Sequence, residues 1–247
     1  MSDSFDKSLE PSRRGFLAGL AGFATLTLAP GVVLYAHAET KPVGAAGAKV
    51  RWGMLVDINQ CDPDCTDCVT ACNTEFGLVG HGRPATDAQW IRKVSVTDPG
   101  SGRTQKFPVM CQHCSDAPCV DVCPTGASFN RADGIVLINR HLCVGCRYCE
   151  MACPYKARNF VHEEITDQKP YAPRGKGTSE ACTMCVHRVD AGGTPACVEA
   201  CAKGRGAMLF GNLYDPNSAI AKRIAAYNTA QIRSDLRTDP GVRYQGL

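Results

Sequence analysis

The sequence lacks most of the signatures by which an enzyme of its length announces itself. No Cys-x-x-Cys is followed by His, so covalent haem attachment is excluded. There is no G-x-G-x-x-G and no P-loop, and nucleotide binding is unsupported. Neither H-E-x-x-H nor G-x-S-x-G occurs, and no carboxylate pair stands out for acid–base work. Long Lys/Arg runs are missing, and the net charge is only +3, which gives no footprint for nucleic acid. Aromatics are sparse at 7%, thin for an ordinary apolar core. No catalytic residue is assigned on these grounds.

What the chain has instead is cysteine, sixteen in 247 residues. They fall into four tetrads with none left over. The first is Cys61-x3-Cys65-x2-Cys68-x3-Cys72, and the second Cys111-x2-Cys114-x4-Cys119-x3-Cys123. The third is Cys143-x2-Cys146-x2-Cys149-x3-Cys153, and the fourth Cys182-x2-Cys185-x11-Cys197-x3-Cys201. The third, followed by Pro154, matches the bacterial ferredoxin run C-x2-C-x2-C-x3-C-P at every position. In that spacing three thiolates on a tight loop hold three irons of a cube. The fourth is carried onto the following helix and reaches a second cluster. Such motifs work in pairs. Cys123 is also followed by Pro124, which pairs tetrads two and three and leaves one with four.

Four [4Fe–4S] sites are therefore expected. One takes Cys61, Cys65, Cys68 and Cys201. A second takes Cys111, Cys114, Cys119 and Cys153. A third takes Cys143, Cys146, Cys149 and Cys123. The fourth takes Cys182, Cys185, Cys197 and Cys72. Eight disulfides or four zinc sites are the competing readings. Close C-x2-C pairs rarely bridge outside redox sites, and zinc has no need of the third cysteine, the fourth and the proline. The Asp62-Pro63-Asp64 insert makes the first tetrad the least regular, which points to an altered potential or a labile cluster.

The first 38 residues read as an address. Arg13-Arg14 precede Phe16-Leu17, residues 15–38 carry no Asp, Glu, Lys or Arg, and Ala36-His37-Ala38 offers a cleavage site. The pattern is that of a twin-arginine export signal, which implies a periplasmic protein. An uncleaved membrane anchor is the alternative, weakened by the glycines, threonines and proline of the stretch. Residues 39–247 form the expected electron-transfer domain, with no later membrane-length apolar segment.

Around the cysteines, Trp52 to Ile58 reads as a strand. Trp90–Val96 and Thr104–Met110 flank Pro99-Gly100 as a hairpin inserted between the first two tetrads. Phe129 to Ile138 forms another hairpin about Asp133-Gly134. Residues 154–181 read as a surface loop. Ser218 caps a short helix bearing Ile220, Ile224 and Tyr227 on one face, and the tail after Pro240 is polar. His113 reads as a surface loop residue, with a hydrogen bond to a cluster as the alternative. His81, His141, His162 and His187 read as structural. Lys156, Arg158, Arg188, Lys203 and Arg205 fall near the motifs, to offset cluster charge, dock a partner or simply face solvent.

These residues carry a resemblance. Cys111-Gln-His-Cys-Ser-Asp-Ala-Pro-Cys119, Cys143-Val-Gly-Cys-Arg-Tyr-Cys149, Ala152-Cys-Pro-Tyr155, Cys185-Val-His-Arg-Val-Asp-Ala-Gly192, Pro195-Ala-Cys-Val-Glu-Ala-Cys201 and Asp215-Pro-Asn-Ser218 resemble the four-cluster iron–sulfur subunits of membrane redox complexes. Dimethyl sulfoxide and polysulfide reductases have subunits of this type. The resemblance implies an α+β fold of two ferredoxin-like 2[4Fe–4S] halves with pseudo-twofold symmetry, plus the inserted hairpin and short C-terminal helix. It implies the same cross-ligation and a wire for single electrons. The export signal, the lead-in Trp52-Gly-Met-Leu-Val-Asp-Ile-Asn-Gln-Cys61 and the Asp-rich first motif look most similar to the iron–sulfur subunits of the sulfite-reduction-associated DsrMKJOP complex. There the implied partners are an NrfD-type quinone-interacting membrane protein and a multihaem cytochrome c. A molybdopterin catalytic subunit or a hydrogenase is the alternative partner. Ala202, where the family usually has Pro, and the longer first spacing depart from the pattern.

Overall fold

The computed structural model describes residues 25–29, 32–35, 46–166 and 168–247. The paired arginines and the Ala36-His37-Ala38 site of the export reading lie outside them. The chain divides into two units, Met1–Pro42 and Val43–Leu247. In the first, β1 (Thr25–Ala29) pairs antiparallel with β2 (Val32–Tyr35). Among the described residues no helix is long and apolar enough to cross a membrane.

The second unit is built on β3 (Trp52–Asp57). Met54, Leu55 and Val56 are all buried, so both strand faces are covered. That is why the sequence reads as an apolar run there rather than an alternation. In its sheet β3 lies between β10 (Met208–Asn212), antiparallel to it, and β12 (Val242–Gln245), parallel to it. A Cβ at Gly53 would stand 2.6 Å from the carbonyl oxygen of Gly241, so this close approach requires glycine. The polar tail expected after Pro240 is therefore a core strand. Val242 and Tyr244 are fully buried, and the Tyr244 ring packs 5.4 Å from that of Phe107. The short β11 (Thr229–Ala230) covers the outer edge of β12.

The inserted hairpin pairs β4 (Ile91–Thr97) with β5 (Thr104–Met110), from Ile91 opposite Met110 to Thr97 opposite Thr104. Its base, with Ile91, Phe107, Val109 and Met110, is buried, and its tip is exposed. A second hairpin joins β6 (Ser128–Asn130) to β7 (Val136–Ile138), with Gly134 at φ 84° in the turn. Residues 154–181 differ from the expected surface loop. β8 (Asn159–Phe160) pairs with β9 (Ser179–Glu180), and Tyr155, Ala157, Arg158, Val161, Ala172 and Arg174 are buried. Arg174 meets Glu180 bidentately at 2.8 and 2.9 Å, which removes the cost of burying either charge alone.

Six helices are described. α1 (Asp67–Phe76) carries Cys68, Cys72 and Phe76 on one buried face at helical spacing, and Gly77 ends it in the left-handed region. α5 (Ala196–Lys203) carries Cys197 and Cys201 and packs on α1. α2 (Pro118–Asp121) and α3 (Tyr148–Ala152) pack on each other, while α4 (Val186–Val189) follows Cys185. α6 (Ala219–Ala226) is capped as expected, Ser218 Oγ accepting from the Ala221 N–H at 3.2 Å. Of its supposed apolar face only Ile220 is fully buried. Tyr227 is exposed beneath the Arg223 guanidinium.

Candidate metal centres

All sixteen cysteines are free thiols. The helix packing already sorts them, since α1 on α5 joins tetrads one and four, and α2 on α3 joins two and three. Cys61, Cys65, Cys68 and Cys201 line one cavity. Burial, and then repulsion from Cys61 and Cys201, raise the Cys68 thiol to about 11. Cys72, Cys182, Cys185 and Cys197 are all buried. Desolvation lifts all four thiols, Cys185 to about 11, and Cys72 and Cys182 each feel Cys197. Cys111, Cys114, Cys119 and Cys153 form the other buried set. Burial carries Cys111 to about 12 and Cys114 to about 11, with Cys119 and Cys153 adding repulsion.

The fourth set is looser. Cys143 and Cys149 are half-buried and Cys146 is exposed. Cys123 receives the Ser128 N–H at 3.4 Å and lies 3.7 Å from Thr125 Oγ1. Burial works against ionisation of Cys123, but these hydrogen bonds outweigh it and hold the thiol below its ordinary value. Cys123 follows α2, which packs on α3, but among the described interactions it meets no thiol of tetrad three.

The sets adjoin in series. Cys72 and Cys197 feel Cys68, Cys182 feels Cys111, and Cys149 feels Cys119. The two inner sets are buried. Surface exposure is confined to Cys61, Cys65 and Cys201 at one end, and to Cys123, Cys143, Cys146 and Cys149 at the other.

The surroundings fit an anionic cluster. Several loop residues take left-handed φ, among them His113 at 46°, Gly145 at 73°, Arg147 at 63°, Met184 at 54° and Cys185 at 49°. Such turns aim successive N–H groups into a concavity, as at many Fe–S sites. Backbone N–H groups of Ala157, Ser179 and Met184 donate to the sulfurs of Cys153, Cys143 and Cys182 at 3.4 Å, and that of Ala196 to Cys185 at 3.5 Å. Buried polar atoms of the cysteine loops without a protein partner include the donors His113 Nε2, Arg158 Nη1 and Thr183 Oγ1, and also Gln112 Oε1 and Glu150 Oε1. Among the described residues, no three His, Cys, Asp or Glu side chains converge tightly enough for a single metal ion. The thiols of the first set line a cavity instead.

His113 corrects the sequence reading, for it is fully buried. Its Nδ1 accepts from the Val136 N–H at 3.1 Å, which leaves the proton on Nε2. Desolvation, then Arg51 and Arg158, hold it neutral with a pKa of about 3. The cations also separate. Arg158 is buried against Cys119, while Arg188 pairs with Glu75 and Glu199, Lys203 with Glu199, and Arg205 with Asp62. Lys156 is exposed. His187 meets Glu75 at 2.7 Å and stacks on Tyr171, and His162 packs edge-on against Phe160. His81 and His141 are exposed. Sequence reasoning missed Lys93 altogether, whose ammonium binds the first cysteine loop.

Residues 103–213 match the 4Fe-4S dicluster domain family. The chain is 41% identical to an Hdr-like menaquinol oxidoreductase iron-sulfur subunit 1 of Archaeoglobus fulgidus, over 81% of this chain and 84% of that one. It is 36% identical to a tetrathionate reductase subunit of Salmonella typhimurium, over 97% and 90%. It is 40% identical to protein NrfC of Escherichia coli, over 93% and 92%. The chain belongs to the iron–sulfur subunit family of these oxidoreductases. Like its relatives it is an electron-transfer subunit, and it carries four [4Fe–4S] clusters. A thiolate-bound cube accepts and gives one electron at a time. The chain's own part is to fix the thiols, supply N–H donors to the sulfurs and exclude water from the two inner sets.

Proposed function

We propose that this subunit relays single electrons between a quinone-interacting NrfD-type membrane protein and periplasmic redox partners, in a DsrMKJOP-type complex of dissimilatory sulfur metabolism. In this reading the chain is of the DsrO type, and a multihaem cytochrome c is among its partners. It is exported by the twin-arginine route and held at the membrane through its complex. The ligand sets are the four cross-paired ones, with Cys123 completing the set of Cys143, Cys146 and Cys149.

The observation that carries the relay is the series of four thiol sets, buried in the middle and exposed at both ends. A wire needs its outer centres near partners and its inner ones dry. A quinol as the membrane-side reductant is supported by the word menaquinol in the name of the Archaeoglobus relative. Tetrathionate and dimethyl sulfoxide in other relatives' names favour sulfur compounds as the terminal chemistry. The word reductase in the same names supports a second reading, in which a catalytic subunit of the molybdopterin reductase type takes the place of the cytochrome, with a hydrogenase subunit as its variant.

The test is an affinity pull-down from detergent-solubilised host membranes, with mass spectrometry and a haem stain. Recovery of an NrfD-type protein with a small multihaem cytochrome and no large reductase subunit is expected. A co-purifying molybdopterin or hydrogenase subunit overturns the first reading in favour of the second.

A further inference from the structure

Arg158 is a buried cation without a carboxylate. Its Nη2 donates to Cys119 Sγ at 3.0 Å and to Ser128 Oγ at 2.9 Å, while its Nη1, also buried, has no partner in the protein. Of the other interior arginines, Arg174 is neutralised by Glu180 and Arg131 by Asp133 and Asp190, while Arg51 has its donors taken up by the carbonyls of Gly134, His113 and Asp239. Besides the neutral Ser128 hydroxyl, the groups that bear on the Arg158 charge are the sulfurs of Cys119, Cys111 and Cys149. An uncompensated buried guanidinium is strongly destabilising. What sets Arg158 apart is the unpartnered Nη1 beside a thiol set, and the negative charge of a cluster held by four thiolates would compensate it.

The position is also one-sided. Cys123-Pro-Thr-Gly-Ala-Ser128 and Cys153-Pro-Tyr-Lys-Ala-Arg158 are the same stretch of two paired motifs. Ser128 and Arg158 occupy equivalent places and touch one another. One motif gives a hydroxyl and the other a full charge, aimed at the Cys119 side. Arg92 fixes the turn that delivers it, donating to the carbonyls of Lys156 at 2.6 Å and Tyr155 at 2.7 Å.

We propose that Arg158 is the positioning residue that raises the reduction potential of the cluster held by Cys111, Cys114, Cys119 and Cys153, with a smaller effect on its neighbour across Cys149. Reduction adds one electron and therefore one negative charge to the cluster. A fixed cation at hydrogen-bond distance from a ligand sulfur stabilises the reduced form more than the oxidised one. Nη1 is the donor kept for the cluster itself. The proposal rests on the four-cluster reading and on this ligand set, not on the identity of the partners.

The experiment is a redox titration followed by electron paramagnetic resonance, on the cluster-loaded protein with whatever subunits co-purify. Wild type must first show about sixteen irons per chain; a lower count indicts the cluster reading and not Arg158. In Arg158→Gln with full iron, the reduced-to-oxidised ratio of one cluster at fixed potential is expected to fall at least tenfold. That is a fall of about 59 mV for a one-electron couple. A second midpoint moves less and the other two stay. Four unmoved midpoints overturn the proposal. If Arg158→Gln loses iron, Arg158→Lys decides. Lysine keeps the charge but loses the forked donor, so full iron and a smaller fall in the same midpoint are expected. Iron loss in the lysine variant too, or no movement, makes Arg158 a purely architectural residue and overturns the proposal.

Discussion

Lys93 Nζ lies 2.9 Å from the carbonyl oxygen of Cys65, and the same ammonium donates to the carbonyls of Asp62 and Pro63. One cation from the inserted hairpin thus gathers the loop that the extra residue of the first tetrad lengthens. Arg205 reaches Asp62 at 3.0 Å from the other side. The irregular spacing is compensated in space by residues far away in sequence.

Removing that cation should loosen the loop and leave the rest intact. Lys93→Met forfeits charge-assisted hydrogen bonds and should cost about 2–3 kcal/mol locally. We expect iron to fall from about sixteen toward about twelve per chain on mild chelation, with wild type unchanged. Iron analysis before and after a chelator checks it, and equal retention refutes the role given to Lys93.

Cross-pairing makes a second prediction that needs no structure of the loaded protein. Cys201→Ser and Cys61→Ser should damage the same cluster, so the double variant loses about four irons, as each single does. Cys201→Ser with Cys182→Ser should lose about eight. The opposite pattern would mean that each tetrad closes on its own cluster.

Tyr244 tests the closing strand. Its hydroxyl donates to the Pro108 carbonyl oxygen and accepts from Gln112 Nε2, both at 3.3 Å. Tyr244→Ala should destabilise by about 3–5 kcal/mol, as large aromatic truncations do. Tyr244→Phe should cost only about 1 kcal/mol. Anaerobic thermal unfolding followed by circular dichroism ranks the two.

Glu75 provides a pH dependence. Partial burial works to raise its pKa, but His187 and Arg188 outweigh that and lower it. A depressed carboxylate contributes stability that is complete above its unfolded value of about 4.3 and disappears as pH falls through the lower folded value. The stability gap between wild type and Glu75→Gln should therefore be constant at neutral pH and close as the pH drops below about 4.3. A gap that persists at acid pH would mean that Glu75 acts by packing alone.

The cysteine spacing made the metal chemistry legible, because ligand geometry is local to each loop. The hairpin of β4 and β5 was equally legible, from alternation across a Pro-Gly turn. β12 was not. Val-Arg-Tyr-Gln reads as a polar tail, and its burial comes from lying between β3 and β11, a relation no local pattern encodes. His113 was misread for a different reason. Burial of a polar side chain normally needs a partner, and the one His113 has, the Val136 N–H, lies far from it in sequence, so polarity was a poor guide to exposure. The only signal was adjacency to cysteine. The segment 154–181 misled through its Pro, Gly and charge, since its burial rests on the two-residue ladder of β8 with β9 and on the Arg174–Glu180 pair.

The parallel pairing of β12 with β3 also governs the order of assembly. Met54 waits for Val242, which lies at the far end of the unit. Contacts of such long sequence separation form late and slowly. Until then β3 has an open edge, with an apolar run ready to pair with another chain. Any chain stopped short of Val242 therefore has a sticky flank, and docking of the last strand is the step that separates a foldable subunit from an aggregating one.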